Sequence, residues 1–373
     1  MCFIVSSPTT FRCSLMGMLE SLMDYSLFLV ADYEHPPEPS EYPKGVRWIN
    51  IPIKRKIQPL HDLLALIKLF RIMQRERFDL VFSQTPKAGL LAMMASWASH
   101  VPLRIHVFTG QVWATKKGLF RKMLRCLDKV TSMCASEVLV DSPSQRDFLV
   151  EEGVITKDRS TVVADGSICG VDTQRFRPNP DAHRRVRAEL GIPEEMLVFL
   201  FMGRMYREKG VFELAEAFQS LHANNPSTCL VCVGPDEEGI SALLKEREGI
   251  FVQDFTDRPE DYYAASDVFC LPSHREGFGL VIIEAAACGV PAIGSNIYGI
   301  SDAIVDGKTG LLHEVQNTTD LLRCMQQLAQ DYNLRTRLGQ QARERAFYQF
   351  SKERVVGGYV AHITKRLGNF QKI

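Results

Sequence analysis

Short apolar runs alternate with amphipathic stretches along this chain, and the alternation stops once and then starts again. No other feature restricts the fold as tightly. Strand candidates fall at Cys2–Val5, Leu27–Ala31, Val46–Ile49, Leu80–Phe82, Arg104–Phe108, Val138–Val140 and Val162–Ala164. Helical periodicity lies between them at Leu60–Gln74, Ala88–Ser99, Leu119–Met133 and Gln145–Glu152. Ser142, Pro143 and Gln145 read as N-cap, first helical position and capping-box partner. Arg175–His183, RFRPNPDAH, reads as a linker because it is polar and carries two prolines. Strands then resume at Val198–Met202, Leu230–Val233, Ile250–Val252, Val268–Leu271 and Ala292–Ile293, with helices at Val211–His222, Gly239–Arg247 and Leu280–Cys288.

Such a pattern predicts an α/β protein of two Rossmann-like, doubly wound domains facing a cleft, with ligands at the carboxyl ends of the strands. The expected domains are residues 1–178 and 179–350, and a final helix at Ser351–Leu367, in the segment 351–373, is expected to cross back to the first. A chain of 373 residues has length for both cores.

Composition removes several classes of function. Lys plus Arg number 44 and Asp plus Glu number 44, a balance that argues against a general nucleic-acid binder. Ten cysteines scattered singly through a chain of this size read as reduced thiols, and the expectation is a cytoplasmic protein. Cys229 and Cys232 form a CxxC inside a strand-like run, where an odd separation sends the two side chains to opposite faces, against a metal pinch or redox pair. Neither a signal peptide nor a membrane-spanning run is read from the sequence.

Two loops carry the chemistry. The dinucleotide fingerprint G-x-G-x-x-G is missing after both opening strands, which argues against NAD. Val198–Met202 is followed instead by Gly203, Arg204 and, past a short basic loop, Lys209-Gly210. Two cations at a strand's carboxyl end suit a diphosphate, Arg through forked hydrogen bonds and Lys as a point charge; taken alone, the loop could equally hold two solvated cations. The segment PSHREGFGLVIIEAAACGVP then spaces Glu276 and Glu284 as E-x7-E, with Gly277 and Gly279 just after the first. Backbone amides at a helix N-terminus suit a phosphate or a sugar hydroxyl. A carboxylate about a turn and a half further on suits the paired hydroxyls of a ribose. In an apolar run, Glu284 would be costly without a partner.

GR…KG followed by S-x-R-E-G-F-G-x7-E resembles the retaining glycosyltransferases of family 4, which have the GT-B fold. The segments FSQTPKAGLLAMMASWASHVPLRIHVFTGQVWATKKG and DSPSQRDFLVEEGV are similar to the branch that builds bacterial surface polysaccharides, including O-antigen and capsule, and GSICGVDTQRF resembles the family's segment leading into the interdomain linker. The resemblance implies that Arg204 and Lys209 bind the diphosphate of a nucleotide-sugar donor, that Glu284 holds its ribose, and that Glu276 with Gly277, Phe278 and Gly279 holds the transferred sugar. A UDP-linked hexose or N-acetylhexosamine donor and a lipid-linked acceptor on undecaprenyl diphosphate are implied too. No metal site and no further cofactor are expected, since fixed cations and amides can stabilise the leaving diphosphate. Retention without a protein nucleophile, by attack from the same face as the departing phosphate whose own oxygen takes the acceptor proton, is likewise implied by the family.

One departure from the family pattern stands out. Where many members have Thr-x-His-Gly, this chain reads Val107-Phe108-Thr109-Gly110, so Thr109 occupies the histidine's place. His106 is read as either structural or catalytic. Thr109, Gly110 and Gln111, with Gln84, Thr85, Pro86 and Lys87 on the neighbouring strand, are expected on the acceptor side. Lys116–Lys129 is a basic amphipathic stretch that either lies on the cytoplasmic face of an anionic membrane or packs as an ordinary surface helix; the basic group Lys54–Lys56 could add to that face. Two other classes share the pattern: a nucleotide-sugar 2-epimerase, and a non-catalytic nucleotide-binding subunit.

Overall fold

The computed structural model describes residues 1–6, 11, 14–33, 43–54, 57–236 and 238–370. It divides into two compact units, Met1–Cys169 with Lys352–Ile373, and Gly170–Ser351.

In the first unit β1 (Cys2–Ile4), β2 (Phe28–Ala31), β3 (Arg47–Asn50), β4 (Leu80–Gln84), β5 (Leu103–Phe108), β6 (Glu137–Val140) and β7 (Ser160–Val162) form one sheet in the order β3-β2-β1-β4-β5-β6-β7. Every pairing in it is parallel. The central strands β1, β2 and β4 are buried along their whole length, which is why they read as continuous apolar runs. The final helix, Lys352–Phe370, belongs to this unit, as the sequence predicts: Val355, Tyr359 and Ile363 are buried in one cluster with Phe3 and Leu29. Arg366 donates to Glu137 at 2.7 Å and Arg354 to Asp165 at 3.0 Å along its length.

In the second unit β8 (Leu197–Met202), β9 (Thr228–Val233), β10 (Ile250–Gln253), β11 (Val268–Leu271), β12 (Ala292–Ser295) and β13 (Gly310–His313) form a six-stranded sheet, order β10-β9-β8-β11-β12-β13, again wholly parallel. Strand order reverses between β1 and β4 in one sheet and between β8 and β11 in the other. Loops leaving adjacent strands at such a point part to opposite faces and open a crevice at the carboxyl ends. The GR…KG loop leaves β8, and the E-x7-E segment leaves β11.

Three sequence expectations change. The units divide after Cys169, ahead of the position near 178, because Val171 pairs with Ser351 and both Val171 and Phe176 are buried in the second unit's core. The stretch read as a linker starts a helix, Pro180–Leu190: Asn179 Oδ1 accepts from the N–H groups of Asp181 and Ala182 at 3.1 and 3.2 Å, and Pro180 takes the first helical position. Between Ile293 and Ser351, where the sequence reading assigns nothing, stand β13 and the helices Thr318–Gln330 and Tyr332–Phe350. A smaller change concerns the capping box: Ser142 Oγ accepts from Gln145 N at 3.4 Å, but Gln145 Oε1 accepts from Asp141 N at 3.1 Å, one residue beyond the box position.

Candidate active site

On the second unit the two loops are locked together. Gly203 N donates to Val233 O at 3.0 Å, and Met205 N to Pro235 O at 2.8 Å, so the loop first follows β9. It then makes a single 3-10 turn, Arg207–Lys209, and ends at Gly210 with φ +71°. A Cβ at Gly210 would lie 2.0 Å from Pro272 O. Only glycine combines that left-handed backbone with so close an approach, and the approach delivers Lys209 to the end of β11. There Lys209 Nζ pairs with Glu276 Oε1, which also accepts from Ser273 Oγ at 3.0 Å. His274 N donates to Glu208 O, and Arg275 Nε to Glu208 Oε2, both at 2.9 Å. Arg204 lays its guanidinium over Tyr206, 5.0 Å from the ring centroid.

Past Glu276 the chain enters the helix Leu280–Ala287 with Gly279 at its N-cap, φ +89°. The ring of Phe278 is buried in the core, 5.0 Å from Phe350. Its side chain is therefore part of the hydrophobic packing, and only its backbone is left for a ligand. Glu284 is partly buried and accepts from the Tyr263 phenol at 2.9 Å. Burial pushes its carboxyl up to about 7, against the opposing pull of the Tyr263 hydrogen bond and the Arg175 charge. Arg175 itself pairs with Glu260 at 2.7 Å. Behind the loop, Gly299 abuts Gly277, since a Cβ there would stand 2.5 Å from Gly277 O.

On the first unit the residues expected on the acceptor side separate into two groups. His106 is 1% exposed, its Nδ1 lies 2.9 Å from Ser83 Oγ, and its ring meets Phe108 edge-on at 4.6 Å. Burial lowers its pKa to about 3, so it stays neutral. Gln111 is wholly buried and accepts from Gln145 Nε2 at 3.2 Å. Both therefore sit inside the fold, behind the strand ends. Thr85, with φ +72°, ends β4 at the start of the helix Pro86–Ala98, and Thr109-Gly110 ends β5. A β-branched residue at positive φ is a rare backbone state. Lys87 donates to Lys54 O at 2.7 Å and pairs with Asp62 at 2.5 Å. The helix Gly118–Cys134 is the basic amphipathic stretch; its Arg121 and Arg125 share Glu152 at 2.5 and 2.8 Å. Arg55 and Lys56, and residues 7–10, 12 and 13 of the early segment Ser6–Gly17, lie outside the described residues.

Residues 14–166 match the family described as glycosyl transferase 4-like domain, and residues 183–345 match glycosyl transferases group 1. The chain is a glycosyltransferase of the GT-B type. It is 29% identical over 310 residues to the capsular polysaccharide biosynthesis glycosyltransferase CapM of Staphylococcus aureus, covering 81% of each chain. It is 26% identical over 300 residues to an Escherichia coli enzyme, UDP-Gal:alpha-D-GlcNAc-diphosphoundecaprenol alpha-1,3-galactosyltransferase, covering 77% of this chain and 76% of that one. In fold it is similar to Anabaena HepE, solved in complex with UDP and glucose, with a TM-score of 0.80 at 17% identity over 97% of this chain and 98% of that one.

In this glycosyltransferase the sequence reading missed Tyr263 and Gly299, and it gave no role to Ser273, the first residue of S-x-R-E-G-F-G. Neither Tyr263 nor Gly299 stands in a pattern of fixed spacing. They join the site because the helix Pro259–Ala264 and the turn after β12 pack against the E-x7-E segment. Among the described residues, no group of three or more His, Cys, Asp or Glu side chains is arranged to hold a metal ion.

Proposed function

We propose that this chain is a retaining glycosyltransferase that moves a hexose or N-acetylhexosamine from a UDP-linked donor to a saccharide on undecaprenyl diphosphate, in surface-polysaccharide synthesis on the cytoplasmic side of a membrane. The observation that supports it best is the convergence of Lys209, Glu276 and Ser273 at the reversal point of the second sheet, with Glu284 on the helix that follows. Lys209 and Arg204 neutralise the diphosphate, and Glu284 accepts from the ribose hydroxyls. The donor sugar takes over the hydrogen-bonding capacity of Glu276, and the backbone at Gly277–Gly279 supplies amides. The name of the Escherichia coli relative, which uses UDP-Gal and a diphosphoundecaprenol acceptor, supports the same substrate class.

In the proposed reaction the acceptor hydroxyl oxygen bonds to the anomeric carbon as the bond from that carbon to the diphosphate oxygen breaks. Attack comes from the face the diphosphate leaves, and the acceptor proton passes to a departing phosphate oxygen. Charge grows on the diphosphate in this step, so fixed cations there lower the barrier. No metal ion is required in this scheme. The exposed basic helix Gly118–Cys134 rests on the anionic membrane that carries the acceptor.

The test incubates the full chain with UDP-glucose, UDP-galactose and UDP-N-acetylglucosamine, each with an undecaprenyl-diphosphate-linked monosaccharide, and reads products by mass spectrometry and anomeric configuration by NMR. An α-linked product with release of UDP is expected. Turnover of the nucleotide sugar without acceptor would replace this reading by the 2-epimerase. Donor binding without turnover against any acceptor would replace it by a nucleotide-binding subunit.

A further inference from the structure

Three helices of the first unit, Pro59–Glu76, Pro86–Ala98 and Gly118–Cys134, leave large apolar side chains in solvent: Leu60, Leu64, Trp97, Leu119, Met123 and Met133. Lys68, Arg71, Lys122 and Lys129 are exposed on the same helices, and Lys117 is exposed at the N-cap of the third. The carboxylates there are engaged within the protein: Asp62 with Lys87 at 2.5 Å, Glu76 with Arg75 at 2.7 Å, and buried Asp128 with the Trp113 indole at 2.7 Å. An apolar surface with cations and no unengaged carboxylate complements an amphiphile with an anionic head.

A groove of about 250 Å³ opens among these helices, walled by Ile57, Leu90, Val112, Phe120, Leu124 and Leu127. Its lining includes Pro86-Lys87 and Val112-Trp113, the residues that continue directly from Thr85 and from Thr109–Gln111 at the ends of β4 and β5. It also includes Phe120 and Leu124, on the helix Gly118–Cys134 that carries part of the exposed stripe. Trp113 makes that wall rigid: its ring is buried, stacked on Phe148 at 5.3 Å and covered by Arg121 at 5.1 Å. The walls offer a sugar almost nothing to hydrogen-bond, since Asp62, Lys87 and Asp128 already satisfy internal partners. At less than the roughly 300 Å³ at which small-molecule sites begin, the groove is too small for a whole long-chain lipid.

We infer that this groove takes the first isoprene units of the acceptor's hydrocarbon chain, leading it from the exposed three-helix face to the acceptor-side strand ends. The inference rests on the lipid-linked acceptor proposed above. It adds a chain-binding site to the acceptor side and assigns Val112, Phe120 and Leu124 to specificity for the lipid.

Isothermal titration calorimetry of the full chain with farnesyl diphosphate, and with inorganic pyrophosphate as the chainless control, tests it. Farnesyl diphosphate should bind roughly ten-fold or more tightly than pyrophosphate, the gain expected from burying even a few methylenes. Leu124→Trp, which fills the groove, and Val112→Glu, which charges its exposed lip, should each remove that preference and leave pyrophosphate unchanged. Leu243→Glu, at an exposed leucine on the second unit, should keep it. Equal affinity for the two probes in the wild-type protein, or unchanged farnesyl diphosphate binding in both folded groove variants, overturns the inference. Failure of the wild-type enzyme to transfer sugar to any isoprenoid-linked acceptor is the separate result that removes the acceptor reading itself.

Discussion

The Tyr263 phenol donates to Glu284 Oε2 at 2.9 Å, tying the second carboxylate of E-x7-E to a helix outside the motif. This hydrogen bond holds down a carboxyl that burial drives up to about 7, from an ordinary value of 4.5. A carboxyl whose pKa is raised on folding contributes its full stability below the unfolded value, and loses it as pH rises through the folded one. Glu284→Gln should therefore raise the Tm of the ligand-free protein by a few degrees at pH 8, with the gain shrinking toward pH 5. Tyr263→Phe should move the titration to still higher pH. Calorimetric scans from pH 5 to 8 check both, and equal Tm values for wild type and Glu284→Gln at pH 8 would refute the cost assigned to this carboxylate.

The cations and the carboxylates have separable roles in the proposed reaction. Arg204→Ala and Lys209→Ala should each lower kcat by the equivalent of roughly 2–4 kcal/mol, because the charge they meet grows in the transition state. Glu284→Gln should weaken the nucleotide sugar and the free nucleoside diphosphate alike, since the ribose is unchanged by transfer. Glu276→Gln should weaken only the nucleotide sugar. Affinities of both ligands for both variants decide the matter, and equal loss of the free diphosphate in the two would sink the assignment.

Because Arg204 and Lys209 are proposed to supply the positive charge at the diphosphate, turnover should persist in excess EDTA. Activity lost in chelator and restored by Mg²⁺ or Mn²⁺ would show that the leaving group needs an ion as well.

His106 and Gly89 form a steric pair. A Cβ at Gly89 would stand 2.1 Å from His106 Cε1, so Gly89→Ala overfills a close-packed site. Its expected cost is about 1–3 kcal/mol of unfolding free energy, and the cost should largely vanish in a His106→Ala background. Urea denaturation of the double-mutant cycle measures this. Additive losses would mean that the imidazole does not fill the space beside Gly89. With a pKa near 3, His106 should also leave the kcat/KM profile between pH 5 and 8 without a histidine inflection of its own.

Alternation of apolar runs and helical stretches was enough to specify two doubly wound units, because a parallel strand buried on both faces must be apolar throughout. Gly203, Lys209, Gly210 and the E-x7-E segment were legible for a similar reason: a loop at a strand's end and the first turns of a helix are local, and their spacing survives in one dimension. The same holds for the returning helix, whose period is plain at 351–367. The alternation failed at Arg175–His183, where two prolines and an asparagine spelled a helix start as readily as a linker.

What the tertiary structure decided are the relationships between residues far apart in the chain. Lys209 reaches Glu276, 67 positions away, because Gly210 lets its loop settle on Pro272. Tyr263 meets Glu284 because the helix Pro259–Ala264 packs beside the one carrying the carboxylate. His106 and Gln111 lie inside the first unit although alternation along β5 places His106 on one face only, and does not say whether that face is covered. Periodicity records which side of an element is apolar; which other element covers it, and which polar group is thereby buried with a partner, is settled only when the elements pack.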